Sequence, residues 1–193
     1  MKRHVTIWRG FSLVEMLVAV AIFAVISSIL LANYPEFRSR AALDNTAHEV
    51  ALVFREAQVY GISVRGAGNS FPVYGVHFNP DTPTKIIIFT DTKSDKMYTP
   101  LDDQLLDTFT LTGGESITQA CENGTFTGGV LTGCPTTAKL YNVIFERPNP
   151  DALFYDQTGT IITEPYLSFE VSNRSRSYRR AVQITSTGQI VVK

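Results

Sequence analysis

The stretch Phe11–Ala32, which reads FSLVEMLVAVAIFAVISSILLA, decides the fold. Its 22 residues carry a single charge, Glu15. A helix of this length rises about 33 Å, enough to cross the hydrocarbon core of a bilayer. The preceding residues include Lys2, Arg3 and Arg9 and no acidic side chain. Because basic flanks tend to stay in the cytoplasm, we expect the rest of the chain to lie outside it.

Three ordinary kinds of apolar N-terminal segment fit this stretch poorly. A cleaved secretory signal has an apolar region of about 7–15 residues and a small-residue cleavage site, whereas this run is longer and continues into Asn33-Tyr34-Pro35-Glu36-Phe37. A lipoprotein signal needs a cysteine at its end, and the first cysteine is Cys121. A plain membrane anchor leaves Glu15 unexplained, because a carboxylate inside a spanning helix costs about 2.5–3.5 kcal/mol.

The residues Arg9-Gly10-Phe11-Ser12-Leu13-Val14-Glu15 resemble the processing site of type IV pilins and of the related pseudopilins of type II secretion. The resemblance implies cleavage between Gly10 and Phe11 and N-methylation of the new N-terminal Phe11. It makes Glu15 the acidic residue that the family carries at the fifth mature position. In a filament of side-by-side helices, the Glu15 carboxylate would pair with the Phe11 amine of a neighbouring subunit and penalise wrong staggers.

The same resemblance implies partners and a location. The partners are prepilin peptidase and methyltransferase, an inner-membrane assembly platform, other pilin or pseudopilin subunits, and membrane lipid before assembly. The chain is expected to cross the inner membrane once, with its globular part outside the cytoplasm, and then to enter a pilus or pseudopilus.

After the apolar segment, the pattern predicts more helix. Apolar or small residues recur every three or four positions, which is typical of one helix face lying on a sheet: Leu43, Ala47, Val50, Phe54, Ala57 and Gly61. Pro35 is expected to kink or locally unwind the helix, and Gly61, Gly66 and Gly68 are expected to end it. The predicted divisions are a leader (1–10), a membrane or filament-core helix (11–34), an amphipathic helix (35–66) and a β-rich pilin domain (67–193).

The remainder predicts short strands, and connections too short for parallel crossovers favour antiparallel pairing. The fold class is therefore α+β, with a long N-terminal helix packed on an antiparallel sheet. Apolar residues alternate with Ser168, Glu170 and Ser172, which predicts a strand with one solvated face. The strand candidates are Val73–Phe78, Lys85–Thr90, Thr108–Leu111, Leu140–Phe145, Leu167–Val171, Arg180–Ile184 and Gln189–Val192.

Two shorter passages resemble the H-type minor pseudopilins of type II secretion and their FimT-like relatives. They are residues 53–61, VFREAQVYG, and the terminal hairpin at residues 180–192.

Cys121 and Cys134 enclose a glycine-rich segment, and in an exported domain they are expected to form a disulfide. Closing a loop of this size stabilises the fold by about 3 kcal/mol. A redox or metal pair is the alternative, but there is no Cys-x-x-Cys spacing or nearby histidine. Acidic residues also gather after a predicted strand, and they suit either a solvated loop or a calcium site: Asp91, Asp95, Asp102, Asp103 and Asp107.

Four arginines surround Tyr178, at positions 174, 176, 179 and 180. Arg174, Arg176, Arg179 and Arg180 suit either an exposed turn or a nucleic-acid contact. The full chain has a net charge of −1. Without the three leader charges, 14 basic residues face 18 acidic ones, a net charge of −4 that disfavours general DNA affinity.

Catalysis is not expected, since His48 and His77 accompany no nucleophile, phosphate-loop or zinc-protease motif. No cofactor or metal is expected. The sequence thus predicts a structural subunit of a type IV pilus or type II secretion pseudopilus. The alternative is a DNA-binding minor pilin of a DNA-uptake pilus. Which machine the chain serves, and whether it is a major or minor subunit, stays open at this point.

Overall fold

The computed structural model describes residues 10–63, 72–135 and 139–193. The leader residues up to Arg9, with their three basic side chains, and the helix-ending glycines Gly66 and Gly68 lie outside the described residues. The chain divides into two compact units, Met1–Ser39 and Arg40–Lys193, and each is described by itself.

One helix, α1 (Leu13–Ile62), supplies the described part of the first unit and begins the second. Helical residues continue on both sides of Pro35, so the local unwinding expected there is not observed. A proline removes a single backbone donor, and flanking residues with good helix propensity can continue the helix past it.

The described residues of the second unit form three antiparallel sheets. A six-stranded sheet has the order β3-β2-β1-β7-β8-β9, a four-stranded sheet has the order β12-β11-β10-β4, and β5 pairs with β6. The strands of the first half are β1 (Val73–Phe78), β2 (Lys85–Asp91), β3 (Gln104–Thr110), β4 (Ser116–Glu122), β5 (Thr125–Thr127) and β6 (Val130–Thr132). Those of the second half are β7 (Tyr141–Phe145), β8 (Ala152–Tyr155), β9 (Ile161–Ile162), β10 (Tyr166–Ser172), β11 (Arg179–Thr185) and β12 (Ile190–Val192).

The predicted α+β class and antiparallel pairing are confirmed. All seven strand candidates are present, with β1 matching its predicted bounds. The terminal hairpin is also present: Gln183 pairs with Val191, and the N–H of Gly188 donates to the carbonyl of Thr185 in the turn.

The helix stripe predicted from the sequence is the buried face of α1. Leu43, Ala47, Val50, Phe54 and Ala57 are each at most 1% exposed. The Phe54 ring lies 5.1 Å from that of Phe169 on β10. The core therefore lies between the second half of α1 and the sheets.

The prediction that one face of β10 is solvated is wrong. Ser168, Glu170 and Ser172 are all at most 2% exposed. The segment carrying the small β5–β6 hairpin covers this face: Ser168 Oγ donates to the carbonyl of Gly124 at 3.1 Å, and the N–H of Leu131 donates to Glu170 Oε2 at 3.0 Å. Ser168 and Glu170 thus meet protein hydrogen-bonding groups instead of water, whereas the buried Ser172 hydroxyl has no hydrogen-bond partner among the described residues.

Candidate functional site

The N-terminal end of α1 holds the predicted processing residues in an open position. Gly10 and Phe11 precede the helix, and Phe11 is 78% exposed. A Cβ added at Gly10 would meet no atom within 4 Å, and its φ lies outside the left-handed range. Nothing in the described structure therefore requires glycine at position 10, which suits a residue selected by an external enzyme.

Ser12 caps the helix. Its Oγ accepts a hydrogen bond from the backbone N–H of Glu15 at 3.2 Å, three residues later. This satisfies one of the orphan donors of the first turn. The cap uses the main chain of residue 15, so it does not depend on the glutamate side chain.

The first half of α1 is apolar and has its surface uncovered. It qualifies by length and composition as a candidate membrane span, and its most apolar window is 0% buried. Phe23 and Leu31 are more than 70% exposed. The Ser28 hydroxyl donates to the carbonyl of Ala24 at 2.7 Å, so this polar group is satisfied within the helix. Such a surface is suited to lipid or to other apolar helices.

Glu15 stands exposed on this apolar helix, in its first turn. Within the described residues, its carboxylate forms no ion pair and accepts no hydrogen bond. The structure therefore leaves its charge available to a partner outside the chain.

Cys121 and Cys134 form a disulfide, with their Cα atoms 4.9 Å apart. Cys121 is fully buried. A Cβ at Gly124 would lie 2.8 Å from the Cβ of Cys121, so the chain passes too close to the bridge for a side chain there. The disulfide closes the loop that carries the β5–β6 hairpin over β10.

The arginine cluster is split by its contacts. Arg180 on β11 donates through Nε to the Asp44 carboxylate on α1, and Arg179 lies 3.4 Å from the buried carboxylate of Glu170. Arg174 and Arg176 are exposed in the turn between β10 and β11. Neither forms an ion pair with any residue that the structure describes. Two of the four charges are therefore matched by carboxylates and two are not.

The acidic residues after β2 mainly fold their own loop. Asp91 is 3% exposed and accepts from the backbone N–H groups of Asp95 and Lys96, at 3.3 and 3.0 Å. Asp103 accepts from the N–H groups of residues 92 and 99. Asp102 pairs with Lys93 at 2.5 Å, and this hydrogen bond raises the pKa of the lysine. Asp107 accepts from the next residue's N–H. Among the described residues, no group of three or more His, Cys, Asp and Glu side chains is placed to hold a metal ion.

The two histidines among the described residues, His48 and His77, differ in their surroundings. His48 is exposed on α1. His77 on β1 is buried, and its Nδ1 lies 2.8 Å from Asn142 Oδ1, so it donates there as the neutral tautomer. Burial lowers the pKa of His77, although the bond to Asn142 opposes that shift.

Sequence reasoning missed the contacts that join distant segments. Glu170 was expected in solvent, and the pairing of Arg180 with Asp44 had no signal in the sequence. Arg40 also contacts the cluster: its Nη2 donates to the Tyr178 hydroxyl at 3.0 Å, and its guanidinium lies 4.4 Å from the ring centroid.

Comparison with known proteins gives one family match and one structural match. Residues 9–31 match the family model described as the prokaryotic N-terminal methylation motif. A search of curated proteins finds no match. Among solved structures, the chain resembles the minor pseudopilin EPSH from the type II secretion system of Vibrio cholerae. The identity is 16% and the TM-score 0.40, over 79% of this chain and 94% of the other.

A structural similarity at this level carries no argument about the subfamily or the machine. The methylation motif covers the residues that the sequence singles out, from Arg9 through Glu15 into the apolar helix. The comparison therefore identifies an N-terminal methylation motif at residues 9–31 of this chain.

Proposed function

We propose that the chain is a pilin-type structural subunit that is cut between Gly10 and Phe11, methylated at Phe11 and assembled into a helical filament. The observation that carries the proposal is the match of the methylation motif to residues 9–31, which continue into an apolar helix with an uncovered surface. The open surroundings of Gly10 support recognition of that glycine by a separate enzyme, the peptidase.

The apolar half of α1 has two successive environments in this proposal. Before assembly it crosses the inner membrane, with the β-rich unit outside the cytoplasm. After assembly its exposed side chains pack against the same helices of neighbouring subunits. Both environments remove the same apolar surface from water, so transfer between them costs little hydrophobic free energy.

Glu15 distinguishes the two environments. In lipid its charge costs about 2.5–3.5 kcal/mol at the helix centre and less near the interface. In the filament, the Phe11 amine of a neighbouring subunit would pair with it. A wrong stagger leaves a carboxylate and an amine unpaired in an apolar core, so the pair selects the register more than it stabilises the filament.

The DNA-binding alternative receives less support. A nucleic-acid contact would use free cations, and two of the four arginines are already paired with Asp44 and Glu170. The mature net charge of −4 opposes general affinity for a polyanion. No second function is therefore proposed.

The processing step tests the proposal directly. Intact mass of filament-incorporated protein should equal residues 11–193 plus one methyl group. Gly10→Val should block cleavage, because the peptidase would meet a branched side chain at its cutting site. Ser12→Ala, on the other side of the bond, serves as the matched control and should still be cut.

Copy number would then assign the subunit type. Quantitative mass spectrometry of sheared filaments should find this chain either as the main component or at a few copies per filament. Retention of Met1 on filament-incorporated protein would refute the assigned processing.

A further inference from the structure

The turn between β10 and β11, residues 173–178, is here called the hairpin tip. It packs beside the first helical residues of the second unit, through Arg40 against Tyr178 and through Asp44 against Arg180. These contacts hold the tip next to Arg40 in space, although Tyr178 is 138 positions further along the chain.

Arg40 follows the predicted end of the membrane segment, Tyr34, by six residues. A helical path of six residues rises about 9 Å, and even an extended path spans at most about 22 Å. The headgroup layer occupies roughly 5–8 Å on each side of the hydrocarbon core. The chain that joins the predicted membrane segment to Arg40 is therefore short, and Arg40 contacts Tyr178 of the hairpin tip.

Two arginines of the tip have no carboxylate partner within residues 10–63, 72–135 and 139–193. Arg174 is exposed and lies beside Gly114, where its Nε would be 3.8 Å from an added Cβ. Arg176 is exposed with a φ of 55°, a left-handed conformation that favours glycine or asparagine over arginine. The carboxylates on the neighbouring elements are engaged or buried: Asp44 with Arg180, Glu170 with Arg179, and Glu115 at 5% exposure. The side chains of Arg174 and Arg176 therefore form an exposed cationic surface in the turn that packs beside the first residues of the second unit.

We propose that the hairpin tip docks through Arg174 and Arg176 on anionic phospholipid headgroups of the membrane that holds the apolar helix. Guanidinium groups bind phosphate oxygens in paired hydrogen bonds, and clustered basic residues near a membrane surface bind anionic lipid. The contact holds the second unit against the bilayer before assembly and is released when the subunit leaves the membrane. This inference rests on the proposed function, because it requires the chain to be anchored.

The test uses the full chain in nanodiscs made either of zwitterionic phosphatidylcholine or of phosphatidylcholine with phosphatidylglycerol. Hydrogen–deuterium exchange of the peptide covering residues 173–178 reports docking. Exchange should be slower in the anionic discs by roughly tenfold or more, since each arginine contributes about a fivefold factor at an anionic surface. High salt should remove the difference.

The variant R174Q/R176Q should exchange equally fast in both lipids. The matched control K93Q/K96Q also loses two positive charges, in the loop after β2, and should keep the wild-type difference. Both arginines are exposed, and unchanged exchange in β10 and β11 would verify that the double variant is folded.

Equal exchange of the wild-type tip in the two lipids would overturn the docking and leave the filament proposal standing. Slow exchange that persists in R174Q/R176Q would also overturn it. If duplex DNA slows exchange in zwitterionic discs while anionic lipid does not, the tip binds nucleic acid and the lipid assignment is wrong. Loss of the chain from both discs would overturn the anchoring and the docking together.

Discussion

Removal of the Glu170 carboxylate should destabilise the second unit more than the loss of any exposed charge. Glu170 is 2% exposed on β10. Its Oε1 accepts from Thr118 Oγ1 at 2.9 Å and from Arg179 Nη1 at 3.4 Å, and its Oε2 accepts from the N–H of Leu131 at 3.0 Å. One side chain thus joins four strands, β10, β4, β11 and β6.

The magnitude follows from what Glu170→Ala leaves behind. The N–H of Leu131 would be a buried donor without an acceptor, which costs about 1–3 kcal/mol. Removing one member of a buried ion pair costs about 3–5 kcal/mol, but Arg179 is 31% exposed and can turn to water, so the lower end applies. The lower ends of the two contributions sum to about 4 kcal/mol, which should lower the melting temperature by about 8–16 °C.

Thermal unfolding of the full chain in detergent, followed by near-ultraviolet circular dichroism, measures this loss. Hydrogen exchange should also accelerate at residues 130–132, because the hairpin loses its hold on β10. The matched control is Glu146→Ala, which removes a half-exposed carboxylate paired with Lys96 and should cost about 1 kcal/mol or less. If Glu170→Ala melts within about 2 °C of that control, the buried carboxylate does not hold the hairpin.

Three other outcomes can be checked on the same material. Replacing Cys121 and Cys134 by serine should lower the free energy of unfolding by about 3 kcal/mol. Combined with Glu170→Ala, the total loss should be smaller than the sum of the two separate losses, because both features hold the same hairpin. Strictly additive losses in thermal unfolding would contradict this. Burial lowers the pKa of His77 from 6.5, so the unfolded chain binds the proton at a higher pH than the folded chain does. The free energy of unfolding should therefore fall as the pH drops below about 6.5. A fall of equal size in the variant His77→Gln would contradict this. Glu15→Ala should keep cleavage and membrane insertion but lose filament incorporation, whereas Glu36→Ala should keep all three; normal yield of the Glu15 variant in sheared filaments would refute the pairing.

The parts of the fold that could be predicted are those with strong local patterns. Val73–Phe78 is rich in β-branched and aromatic residues and matches β1 residue for residue. The stripe from Leu43 to Ala57 has helical spacing, and its members are buried as that spacing indicates. Local composition was enough for β1, which is buried at every residue after Val73, and local periodicity was enough for the helix stripe, which is the buried face of α1.

The sequence analysis missed a strand whose partner is distant along the chain and several strands that are very short. β4, Ser116–Glu122, has mixed polarity and pairs with β10, about 50 residues further along the chain. The two-residue β9 and three-residue β5 and β6 are too short for a periodic signal. β5 and β6 pair with each other across Gly128 and Gly129, so the signal for this hairpin was in its turn and not in the strands themselves.

The polar face of β10 shows a different limit. Alternation of apolar and polar residues indicates that two faces differ, but not that the polar one meets water. Here Ser168 and Glu170 meet the loop closed by the disulfide. The arginine cluster has the same limit, since charge alone does not show that Arg180 pairs with a residue 136 positions earlier.

The local structure around Glu15 does not explain why a carboxylate occupies this position. At the third position of the helix, its charge gains about 0.3–1 kcal/mol from the helix dipole. That gain is smaller than the cost of about 2.5–3.5 kcal/mol for a carboxylate deep in a spanning helix. The cap does not explain the residue either, because Ser12 Oγ receives the backbone N–H of position 15, which any amino acid except proline supplies. Alanine at this position would therefore give a better-inserted helix with the same cap. A carboxylate at position 15 is favoured when a cation from outside its own helix reaches it, and in the proposed filament the Phe11 amine of a staggered neighbour would be such a cation.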